Sequence, residues 1–155
     1  MTKFLLSLHV LAAVLTVGPV TVAASMFPRT WRQALAAPGT AEPVSTLGTL
    51  HRICRVYAGI GIAVPLFGFA TASSLGVLGS AWLIVSIVLT AVAAGVLALL
   101  ILPAQEAALD VVGQPETPPL PRGAARLAAL TGVFNLLWAT VTVLMIVRPG
   151  STTGA

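Results

Sequence analysis

The chemistry open to this sequence rests on a handful of side chains. His9 and His51 are its two histidines and Cys54 its one cysteine. Imidazole can ligate haem iron or copper, or relay a proton. A lone thiol excludes an internal disulfide and a cysteine-based zinc site, and Cys54 reads as inert. Arg52 and Arg55 stand three residues apart in the segment His51-Arg52-Ile53-Cys54-Arg55-Val56-Tyr57. That spacing puts both on one helix face, suited to an anionic lipid headgroup or an acidic partner, or to plain anchoring at a membrane surface. Asn135 sits in the middle of a long apolar run, where an amide satisfies itself by bonding to another helix.

These residues are embedded in a chain that reads as membrane. Of 155 residues, 57% are hydrophobic and 8% charged, against about 25% charged in soluble domains. Mean hydropathy is +1.02. The net charge is +4, and the basic residues lie between apolar runs instead of forming a basic face, which excludes nucleic-acid binding. A helix rising 1.5 Å per residue needs about 20 apolar residues to cross a hydrocarbon core of roughly 30 Å. Four runs meet that demand, at about 4–26, 53–74, 81–102 and 126–147. They are continuously apolar, not alternating, so strands fit poorly. The expected fold is all-α, an antiparallel up-down four-helix bundle in one transmembrane domain over 1–150, with a short tail at 151–155. Pro19 and Pro65 each remove a backbone donor and predict a kink. The first run is longer than a signal-peptide core of roughly 7–15 residues, so it reads as a retained helix.

Basic residues set the expected orientation. Arg29, Arg32, Arg52, Arg55, Arg122 and Arg126 flank the first and third loops, while Lys3 and Arg148 flank the chain ends. The positive-inside rule then puts those two loops in the cytoplasm and both termini outside, in a bacterial inner membrane. All four acids, Glu42, Glu106, Asp110 and Glu116, fall on the loop side. The spans themselves hold no carboxylate. That excludes a proton-coupled exporter of the small multidrug type and carboxylate-relay pumps.

Depth assigns partners. His9 is expected to bond a hydroxyl on a neighbouring helix, with Thr71, Ser86, Thr140 and Thr142 at its level. His51, at the start of an oppositely directed helix, lies about 25 Å away in height. One protomer therefore cannot place both imidazoles on one haem. Asn135 is expected to meet Thr16, and Trp31 to sit at headgroup level on a short interfacial helix over 28–37. Gly113 to Pro121 reads as a stiff linker, and 104–112 as a polar continuation of the third span. Small residues at four-residue spacing, among them Ala91/Gly95 and Ala125/Ala129, allow close helix approach.

The opening Leu8-His9-Val10-Leu11-Ala12-Ala13-Val14-Leu15, then Gly18-Pro19 and Phe27-Pro28-Arg29, resembles a family of small integral membrane proteins of unknown function frequent in actinobacteria. More loosely, the early histidine resembles the opening of CopD-type copper-resistance membrane domains. The first resemblance implies a four-helix membrane fold and no activity; the second implies metal handling at His9. The expected function is non-enzymatic, without a cofactor: an accessory or assembly subunit that contacts lipids and packs against a larger membrane complex, such as a respiratory one, or against its own copies. The alternatives are a haem- or copper-handling protein using His9 and a small-solute transporter.

Overall fold

The computed structural model describes residues 1–114 and 122–150, and every element among them is helical. The helices are α1 (Thr2–Ala36), α2 (Ala41–Ile60), α3 (Ala63–Leu75), α4 (Ala81–Gly95), α5 (Leu102–Gly113) and α6 (Gly123–Val147), with one π-helical stretch, Val96–Ile101, between α4 and α5. Taken as continuous rods, α1, α2 with α3, α4 through α5, and α6 are each long and apolar enough to cross a membrane. The chain is a small four-helix polytopic membrane protein. Helix α1 is the hub, packed against α2, α3 and α6, while α4 packs on α6 and α2 on α5.

The broken rods break for identifiable reasons. Pro65 has no N–H to give the Gly61 carbonyl, which accepts instead from Val64 at 3.0 Å. The α2–α3 junction at Gly61–Ile62 is the resulting break, one turn before the proline as expected. Helix α1, by contrast, runs on through both Pro19 and Pro28.

The π-helical stretch follows from the burial pattern. Ala93, Leu97, Ile101 and Gln105 are all buried and recur every four residues. On an α-helix each such step drifts about 40°, so the last would stand roughly 120° from the first. A turn with i→i+5 bonding holds one extra residue and takes back about 100°. The Leu102 N–H bonds the Leu97 carbonyl five residues back, and the four side chains stay on one face.

Three elements extend past the apolar runs at the loop end. The 35 residues of α1 span about 52 Å, well beyond a hydrocarbon core of roughly 30 Å. Its lower turns pack with the start of α2 and with α5 in a common core of Trp31, Ala34, Leu47, Leu50, Cys54 and Ala108. This corrects two expectations. There is no separate interfacial helix over 28–37, because Phe27, Trp31 and Ala34 continue the buried stripe of Val20, Ala23 and Ala24 at helical spacing. Trp31 is accordingly 2% exposed, a core residue and not a lipid contact. The polar continuation over 104–112 is present as α5. The linker reading falls mostly on Pro115–Pro121, outside the described residues.

Candidate functional site

Two polar constellations emerge, one at each end of the bundle. At the end carrying the chain termini, the His9 Nδ1 lies 2.9 Å from the Val64 carbonyl oxygen of α3. A carbonyl only accepts, so Nδ1 carries the proton and neutral His9 presents Nε2 as an acceptor. The expected hydroxyl partner is not used. Thr71, Ser86, Thr140 and Thr142 all donate to carbonyls of their own helices. What admits the ring to the α3 backbone is Gly68. A Cβ there would stand 2.9 Å from His9 Cε1 and 3.1 Å from Nδ1, but 3.7 Å from Nε2. Nε2 is thus the ring nitrogen turned away from this contact.

His9 forms part of the wall of a groove of about 810 Å³ between α1 and α6, floored in part by Val64. Val10, Val14, Val141 and Ile146 make it apolar, and Arg148 closes its outer rim. Arg148 ends α6 in the left-handed region, φ 46°, a conformation costing a non-glycine residue about 1–2 kcal/mol. Its amide caps the helix on the Leu144 carbonyl at 3.0 Å. Its Nε donates to the Met145 carbonyl at 3.3 Å, and the guanidinium lies 5.7 Å from the centre of the Trp82 ring, within cation–π range. A smaller cavity of about 140 Å³ lies deeper, beside Tyr57, Gly61, Thr90 and Trp138.

At the opposite end His51 is spoken for. Its Nδ1 donates to Gln105 Oε1 at 3.1 Å, and the Gln105 amide donates to Cys54 Sγ at 3.6 Å. Its Nε2 lies 3.6 Å from Glu106 Oε1. Gln105 and Cys54 are fully buried. Gln105 organises this network, and sequence reasoning missed it; the signal was its place in the four-residue series of buried positions. Arg52 and Arg55 are both exposed on α2, outside the network. The two histidines have separate partners on separate helices, and by helical rise they stand about 25 Å apart along the bundle.

Asn135 does reach across to α1, but to Ser25 and not to Thr16. Its Nδ2 donates to Ser25 Oγ at 3.3 Å, while Thr16 bonds the Ala12 carbonyl of its own helix at 2.7 Å. The apolar count placed the middle of the first span at Thr16. The real helix is longer, and α6 meets it nine residues further down, about 13 Å. Among the described residues no group of three or more histidines, cysteines or acids is arranged to hold a metal. No protein-family model, curated protein or solved structure matches the chain.

Proposed function

We propose that the chain is a non-enzymatic helical subunit of a larger bacterial membrane assembly, docked through the outward face of α6. The observation that carries this reading is the Asn135–Ser25 pair. Asn135 lies at the middle of α6, and its bond to Ser25 is made at the bundle's surface. Polar groups at mid-depth are costly in lipid and serve as interhelical glue. On the same face, within about 60° by helical rotation, stand Ala128, Gly132 and Ala139, all exposed, and nothing lies within 4 Å of a Cβ at Gly132. Small residues around a polar one let a second helix backbone approach closely. In this reading both termini lie outside and Arg52 and Arg55 meet headgroups or an acidic partner surface at the cytoplasmic end. Mild-detergent purification followed by mass spectrometry tests it. A stoichiometric membrane partner, or a second copy, that Gly132→Leu releases is the expected result; an unaccompanied monomer overturns it.

A second reading, haem or copper at His9, has one observation in its favour. Metal-bound histidines commonly donate their other ring N–H to a backbone carbonyl, as His9 does to Val64. Met145 lines the same groove, but a second imidazole would have to come from another chain, so bis-histidine haem content should rise with association.

A further inference from the structure

We propose that the groove between α1 and α6 is a binding site for a single-chain anionic lipid with a free hydroxyl next to its charge, the lysophospholipid class. This groove lies further along the same α1–α6 seam as the Asn135–Ser25 pair, toward the terminal end, and is tested through Arg148 and His9, not through Gly132.

Three features select that chemistry. The first is charge. Arg148 stands at the rim, and none of the described acids is within ion-pair distance of it; Glu42, Glu106 and Asp110 belong to the other end of the bundle. An anion there meets a guanidinium held by its Met145 bond and the Trp82 ring. The left-handed backbone at Arg148 is where glycine is the usual residue, and arginine is found there at a conformational cost.

The second feature is the acceptor that shares the groove with the charge. His9 and Arg148 line the same groove, one from α1 and one from the end of α6. With Nδ1–H engaged on Val64, Nε2 needs a donor. The ester carbonyls of a two-chain lipid only accept and cannot supply one. In a lysophospholipid the free glycerol hydroxyl stands between phosphate and chain. The third feature is the apolar trough beyond, along Val10, Val14 and Val141, whose volume of about 810 Å³ lies in the range of single small-ligand sites, roughly 300–1,000 Å³.

The test uses the full chain in a neutral detergent, with affinities read by native mass spectrometry and by tryptophan fluorescence, since Trp138 lines the groove. Lysophosphatidylglycerol should bind at least about tenfold more tightly than lysophosphatidylcholine of the same chain length, the factor that corresponds to one lost charge-assisted contact of about 1.4 kcal/mol. Arg148→Gly suits the backbone and should preserve the fold while abolishing that preference; Arg148→Lys should keep most of it. A 2-deoxy analogue should bind wild type several-fold more weakly, and His9→Leu should no longer tell the two apart. Equal binding of the two lysolipids by wild type overturns the proposal, as does a preference that survives Arg148→Gly. Two-chain phosphatidylglycerol binding as tightly as the lysolipid overturns the single-chain assignment, and competition by glycerol phosphate alone would make the site one for free phosphate esters.

Discussion

The His9 ring lies across Gly68, donating from Nδ1 to the Val64 carbonyl at 2.9 Å where any other residue at 68 would crowd it. Gly68→Ala puts a methyl 2.9 Å from Cε1, so the ring must shift and its bond to the carbonyl is strained. Overpacking of this kind costs about 1–3 kcal/mol. Denaturant titration of the detergent-solubilised protein should show that loss, and a value near zero would mean the ring does not occupy this position.

Gln105→Leu should be costlier to the loop end than any surface change there. It leaves the buried His51 Nδ1 and Cys54 Sγ without their partner, a loss of about 1–3 kcal/mol. Reaction of Cys54 with a small thiol reagent should accelerate in the variant, because opening α2 from α5 exposes the sulfur. Unchanged thiol protection would show that the network does not hold those helices together.

Asn135→Leu removes an interhelical bond and should destabilise the bundle by about 0.5–2 kcal/mol. Ser25→Ala should cost a similar amount, and the double variant no more than either alone. Additive losses in the cycle would argue that the 3.3 Å bond contributes nothing.

Orientation is open to labelling in a Cys54→Ser background. A cysteine at Gly113 should be shielded from an impermeant reagent added outside intact cells, following the concentration of arginine around the first and third loops. External labelling at 113 would invert the assignment.

A visible spectrum of the purified monomer should lack a Soret band that depends on both histidines. His9 and His51 lie about 25 Å apart along the bundle by helical rise, and His51 is bonded to Gln105. A band lost in both His9→Ala and His51→Ala would contradict the placement of α1 and α2.

The architecture was legible because lipid leaves few alternatives: four continuous apolar runs become four helices, and Pro65 announces the break at Gly61–Ile62. Side-chain partners were harder to read. Depth alone pairs His9 with hydroxyls, but hydroxyls in apolar surroundings bond their own helix four residues back, as Thr16 and Thr71 do. The ring's true partner, a backbone carbonyl, carries no residue-type signal. Only the missing Cβ of Gly68 marks it, one glycine among 14. Hydropathy falls at Arg29 and Arg32 while the helix does not end there, so hydropathy alone points Trp31 to the headgroups. Its spacing from Phe27 and Ala34 was the better guide.

The π-helical stretch Val96–Ile101 also changes what this span would tolerate from a frameshift-free deletion. In an uninterrupted helix, losing one residue rotates everything downstream by about 100° and carries a buried face into lipid. Here the surplus residue is already present. Removing Leu99, which is 74% exposed, would close the wide turn into ordinary α-helix and leave Gln105 and Ala108 facing inward as before. The same deletion two turns earlier, at Val92, has no slack to draw on within the α4 segment and would transmit strain to the Trp82 end. A scan of single-residue deletions along 82–108 should therefore show one island of viability, centred on the π-helical stretch.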